Sequence, residues 1–97
     1  MPKAYVIVDM DVTDPDRYAA DYVPLSGPSV EAAGGRYLAR GGETTVLEGG
    51  SQPHRTVLIE FESVDAAKAW YDSPAYREAR EARSETAVGS FVVVEGV

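Results

Sequence analysis

One short stretch does most to limit what this chain can fold into. Gly34-Gly35-Arg36-Tyr37-Leu38-Ala39-Arg40-Gly41-Gly42 is an alternating strand with a glycine pair at each end, entered from a long helical segment. A helix can stop at the first pair, because glycine accepts the left-handed backbone that a helix C-terminus often needs, and the strand can bend or turn at the second. One helix-to-strand junction is therefore fixed, and the other elements can be set out on either side of it.

Upstream, residues 3 to 12 alternate as a strand, with Val6, Val8, Met10 and Val12 on one face and Tyr5, Ile7, Asp9 and Asp11 on the other. Asp14-Pro15 starts a helix: the carboxylate caps free amides, and proline at the first helical position loses no hydrogen bond. Tyr18 and Tyr22 lie four apart on it. Pro24 and Pro28 then predict a kink or break near residues 23 to 28, with helix again through Val30 and Ala33. Beyond the glycine-framed strand, Thr44-Thr45-Val46-Leu47-Glu48 reads as its continuation and Gly49-Gly50-Ser51-Gln52-Pro53 as a turn. The return strand is 55–61, where Val57, Ile59 and Phe61 share one face and Thr56, Leu58 and Glu60 the other. Ser63 caps a helix over 64–72, Ser73-Pro74 starts another from 74 to about 86, and Phe91-Val92-Val93-Val94-Glu95 closes the chain as a β-branched, aromatic strand.

The order strand, helix, strand, strand, helix pair, strand is the ferredoxin-like βαββαβ pattern of an α+β protein, with an antiparallel sheet in the order 4-1-3-2 and all helices on one face. Ile7, Leu38, Leu58 and Val93 then fall on the uncovered face, where exposure costs about 1.5–3 kcal/mol each relative to burial. Two such faces meeting in a homodimer would cover them. With 97 residues and 44% hydrophobic content, residues 1–97 are expected to form a single domain with one core. The absence of cysteine excludes disulfides, thiolate metal sites and cysteine nucleophiles, and fits a reducing cytoplasm. A net charge of −7 argues against nucleic acid as a partner, and the apolar run Ala4–Val8 is too short for a signal or membrane segment.

Three groups of residues could carry chemistry. By alternation, Asp9, Arg40 and Glu60 point the same way from neighbouring strands: the guanidinium could fork to an organic anion, and either carboxylate could serve as general base. The alternative is an ion pair that fixes register or ties two subunits together. Tyr18 and Tyr22 stand beside the proline break, either at the mouth of a cleft or packed against the helix over 64–72. His54, the only histidine, reads as a solvated loop residue without metal-ligating partners. Trp70, Tyr71 and Tyr76 read as core. The glycine pairs lack the spacing of a phosphate loop or dinucleotide fingerprint, and neither a cofactor nor a metal is expected.

The glycine-framed strand, Val46-Leu47-Glu48-Gly49, 55–61 and Ala69-Trp70-Tyr71-Asp72-Ser73-Pro74-Ala75-Tyr76 together resemble the domain-of-unknown-function 1330 family. The resemblance runs in order from the first strand to the last. It implies a dimeric α/β barrel, two ferredoxin-like subunits with their sheets facing each other, and no established reaction; related architectures include cofactor-independent monooxygenases and isomerases. The expected function is binding of a small polar or anionic metabolite in the cleft on the sheet face, near Asp9, Arg40 and Glu60, with Arg40, Tyr18 and Tyr22 as the ligand-binding candidates. The alternative is a cofactor-independent enzyme that uses Asp9 or Glu60 as base.

Overall fold

The computed structural model describes residues 2–97. Strand β1 (Ala4–Val12) enters a short helix α1 (Pro15–Arg17), which widens into a π-helical segment, Tyr18–Tyr22, and returns to regular helix as α2 (Val23–Ala32). Strands β2 (Arg36–Arg40) and β3 (Arg55–Phe61) follow, then α3 (Val64–Asp72), α4 (Pro74–Ala82) and β4 (Ala87–Glu95). The sheet runs β2-β3-β1-β4, entirely antiparallel, which is the order expected.

Local signals set most of these boundaries. The Asp14 carboxylate accepts from the Arg17 amide at 3.3 Å, and Ser63 and Ser73 cap α3 and α4 in the same way. Gly34 leaves α2 with φ +76°, and the Gly35 amide closes the end by donating to the Val30 carbonyl at 2.9 Å.

The proline-rich helix departs from expectation in an instructive way. It does not break at 23–28. Pro24 sits in the first turn of α2, where a missing amide costs little, and the disturbance is absorbed one turn earlier, where the Val23 amide reaches back five residues to the Tyr18 carbonyl. Ser29 Oγ donates to the Ser26 carbonyl at 2.7 Å beside Pro28. Residues 44–48 also depart: they form no strand within this chain, and Leu47 is 94% exposed. Strand β4 begins four residues earlier than its β-branched run, at Ala87, through Gly89, which faces Met10 of β1.

The helix-covered face of the sheet makes the core. Val6, Val8 and Met10 of β1 and Val57, Ile59 and Phe61 of β3 are all buried against Val30, Trp70, Tyr76 and Ala79. Trp70 is its hub, with ring centroids 4.3 Å from Tyr76 and 5.3 Å from Phe61. The opposite face is open, and Ile7, Leu38, Val88, Val92 and Val94 are exposed large apolar residues. Val93 was expected there, but its register partner is Val6, so it turns to the helices and its neighbours Val92 and Val94 take the open side.

Candidate functional site

Register decides which of the candidate residues can act together. On β1 and β3 the alternation holds: Asp9 stands opposite Thr56 and Glu60 opposite Tyr5, all on the open face. Four residues of β3 therefore separate the two carboxylates, a distance of about 13 Å along the strand. Strand β2 breaks the alternation. Arg36 pairs with Glu60 and Tyr37 with Ile59, but Ala39 pairs with Leu58 and Arg40 with Val57, so Leu38 is an extra, bulged residue. A bulge of one residue reverses every side chain beyond it. Arg40 is carried to the helix side with Val57, and does not join Asp9 and Glu60.

Two separate constellations result. On the open face, Glu60 is held by Arg36 at 3.3 Å and Lys3 at 3.6 Å, with the carboxylate only 14% exposed. Asp9 is engaged at the other end of the strand by His54. The His54 amide donates to Asp9 Oδ1 at 2.9 Å, Nδ1 lies 3.3 Å from Oδ2, and Nε2 lies 3.8 Å from Asp11. His54, expected to be a free loop residue, is thus positioned by two carboxylates of β1. The antiparallel register of β1 with β3 was the available signal, since Met10 opposes Arg55 and His54 immediately precedes it.

On the helix side, Arg40, Tyr18 and Tyr22 do come together, although by a route alternation did not give. The Arg40 guanidinium lies 4.2 Å from the Tyr37 ring centroid and against Gly27 of α2. Tyr18 stacks on Tyr22 at 4.9 Å, and the Tyr22 hydroxyl meets that of Tyr76 of α4, not α3, at 2.9 Å. Arg55, two residues before Val57 and on the same face, stands 5.9 Å from the Tyr18 ring, while Arg83 at the end of α4 stands 5.8 Å from Tyr22. Both were absent from the expected site; the parity of Arg55 with the buried Val57 marked it, whereas Arg83 is placed by tertiary packing alone. The side chains leave a narrow cavity of about 20 Å³, room for one water.

The electrostatics of this pocket are unusual for an acidic chain. Among the described residues, no carboxylate lies within 4.0 Å of Arg40, Arg55 or Arg83, and the Nε atoms of Arg55 and Arg83 are buried without a hydrogen-bond partner. Burial pushes the Tyr22 hydroxyl far up from its ordinary value, and the neighbouring Tyr76 hydroxyl adds to it. Burial raises Tyr76 as well, and raises Tyr18 against the opposing pull of Arg55. All three hydroxyls stay protonated near neutral pH and can donate. The pocket therefore combines unpaired cations, neutral hydroxyls and aromatic walls. Among the described residues no group of three or more His, Asp or Glu side chains is arranged to hold a metal ion, and no helix is long and apolar enough to cross a membrane.

Solved structures of similar form cover nearly the whole chain. A protein of unknown function from Rhodopseudomonas palustris is 21% identical, with 99% of this chain and 83% of that one covered and a TM-score of 0.75. The cofactor-independent oxygenase SnoaB from Streptomyces nogalater is 11% identical, with 97% and 92% covered and a TM-score of 0.66. A dimeric protein of unknown function and ferredoxin-like fold from Bacteroides fragilis is 16% identical, with 96% and 95% covered and a TM-score of 0.57. At these identities the likeness establishes the ferredoxin-like fold. No curated protein matches the chain. The family model described as a domain of unknown function, DUF1330, matches residues 3–97, and the chain belongs to that family.

Proposed function

We propose that the chain binds a small organic anion with an apolar or aromatic body between the helix side of the sheet and the π-helical segment. The observation that supports this most is that, of five arginines without a carboxylate within 4.0 Å among the described residues, three, Arg40, Arg55 and Arg83, gather around Tyr18, Tyr22 and Tyr37. The buried Nε donors of Arg55 and Arg83 have no hydrogen-bond partner and ask for an acceptor. A carboxylate fits the fork of a guanidinium, and Tyr18, Tyr22 and Tyr37 fit a ring. Arg40 is exposed at the β2 edge, so its side chain swings off Tyr37 to admit the ligand, which then takes its place against the ring. Two copies pair through the open sheet face, which covers Ile7, Val88, Val92 and Val94 and matches the dimeric description of the Bacteroides fragilis protein.

Calorimetric titration against benzoate, salicylate and cinnamate, with inorganic sulfate as a control for charge alone, tests the site. Binding of at least one aromatic carboxylate is expected, weakened about tenfold or more by Arg40→Ala and by Arg55→Met, since a hydrogen bond to a charged group contributes roughly 1.5–3 kcal/mol. Binding that is absent, or that both variants leave unchanged, would sink the proposal.

A second reading has one observation in its favour. The Asp9–His54 pair has the form of a base with an orienting partner, and a cofactor-independent oxygenase shares the fold. On that reading a carbon acid bound on the open face loses its proton to Asp9. Asp9→Asn and His54→Gln would each cost about 10²-fold in turnover of a substrate found by screening. Glu60→Gln would cost less, because Arg36 and Lys3 already hold that carboxylate. Full turnover in Asp9→Asn would exclude it.

A further inference from the structure

The bulge at Leu38 brings two cations together. It sets Arg40 opposite Val57, and Arg55 lies two residues from Val57 on the same face of β3. Residues in that diagonal relation have Cα atoms about 7–8 Å apart. Both guanidiniums line the cavity of about 20 Å³, and neither a carboxylate nor a histidine belongs to its lining. Arg83 stands apart, behind the Tyr22 ring and 5.2 Å from that of Phe91.

The end of β2 is shaped for this pair. Gly41 follows Arg40 with φ +72°, and a Cβ there would collide with the Arg55 guanidinium. Only glycine lets that cation lie against the β2 backbone beside Arg40. The Gly41 amide donates to the Thr56 carbonyl at 2.8 Å, which fixes the chain at this point. In the cavity wall Ser26 is 3% exposed, and its hydroxyl makes only a long bond of 3.4 Å to the Val23 carbonyl. A well-placed oxygen would accept from it at about 2.7–2.8 Å.

Given the anion site proposed above, on which this rests, we propose that the head group bound there is a phosphate monoester dianion, carried on an aromatic or apolar alcohol. A carboxylate has two oxygens and one charge, enough for one guanidinium fork, and leaves the second cation without a counter-charge. A phosphate monoester presents three terminal oxygens and carries close to two charges above its second pKa of about 6. Those oxygens serve the buried Arg55 Nε, the fork of Arg40 and the Ser26 hydroxyl. The Arg40 side chain, exposed at the sheet edge, gives up the Tyr37 ring to the ligand body and closes on the head group beside Arg55. Tyr18 and Tyr22, kept protonated by burial, bring no negative charge against it.

Phenyl phosphate and phenyl sulfate share a shape and differ in charge, so calorimetric titration of the two isolates the second negative charge. At about pH 8 phenyl phosphate is expected to bind roughly tenfold or more tighter than phenyl sulfate or benzoate, because two guanidiniums then act on it. At about pH 5 it is a monoanion too, and the preference over phenyl sulfate should vanish. The sulfate ester keeps its single charge throughout and reports any change in the protein itself. Arg40→Gln, at an exposed position, should bring phenyl phosphate down to the level of phenyl sulfate, whereas a disturbed fold would weaken both alike. A preference that survives in Arg40→Gln overturns the inference, as does equal binding of the two esters at the higher pH. Inorganic phosphate that binds as tightly as its phenyl ester overturns it as well. In each of these cases benzoate binding that Arg40→Ala weakens leaves the anion site standing. A protein that binds none of these ligands overturns the site and the ligand class together.

Discussion

Trp70→Ala is expected to lower the unfolding free energy by about 3–5 kcal/mol, read from urea denaturation followed by far-ultraviolet circular dichroism. The indole is 2% exposed and sits between the helices and the sheet. Its ring lies against Phe61 of β3 at 5.3 Å, Tyr76 of α4 at 4.3 Å and Phe91 of β4 at 6.5 Å. Its Nε1 donates to Ser29 Oγ of α2 at 3.2 Å, so one side chain joins four elements. Removing it opens a cavity bounded by rigid rings that cannot collapse into the space, which places the cost at the upper end for large-to-small changes. A domain of this size has a total stability of about 5–15 kcal/mol, so the variant loses a large part of it. Trp70→Phe separates packing from polarity. It keeps most of the ring and loses the donor to Ser29, whose own hydroxyl remains bonded to the Ser26 carbonyl, and should cost only about 1–2 kcal/mol. A loss below 1 kcal/mol in Trp70→Ala would show that the aromatic cluster is not the centre of the fold.

The residues that proved readable in the sequence are those whose placement depends on near neighbours. Caps at Asp14, Ser63 and Ser73 act over three residues, and strand faces follow from a period of two, which is why β1, β3, α3 and the sheet order could be anticipated. Arg40 shows where this stops. Its face depends on one extra residue at Leu38, and the bulge follows from how β2 fits against β3, information that no period within β2 contains. Val93 failed for a related reason: the run Val92-Val93-Val94 is apolar throughout, and only pairing with β1 chooses its core residue.

The proline segment taught a different lesson. Residue type located a disturbance correctly in kind, but helices can shift it along their length. The wider π turn moved to Tyr18–Tyr22, the segment that supplies the candidate pocket with two of its rings. Local irregularity and candidate site therefore coincide: the turn that accommodates Pro24 also turns Tyr18 and Tyr22 in toward the sheet, where Arg55 and Arg83 meet them. The segment 44–48 is the complementary case: its β-branched residues favour a strand, but no neighbouring strand of the sheet is placed to pair with it.

Gly35→Ala should destabilise the protein by about 1–3 kcal/mol through overpacking, whereas its neighbour Gly34→Ala should do so through backbone strain alone. The two glycines answer different demands. Gly34 has φ +76° with nothing within 4 Å of an added Cβ, so its methyl would be free but its backbone costly. Gly35 is not in the left-handed region, yet a Cβ there would lie 2.6 and 2.9 Å from the Phe61 ring and 2.9 Å from Val30 Cγ1. Neither neighbour can yield easily, since Phe61 and Val30 are each 1% exposed and Phe61 is braced by Trp70. This separates the variants experimentally. Phe61→Leu shortens the obstructing ring and should recover part of the loss in Gly35→Ala, giving a double-mutant coupling of at least about 0.5 kcal/mol, but should simply add to Gly34→Ala. Additivity in both pairs would mean that α2 and β3 are not in the contact described, and that the first glycine pair serves the turn only.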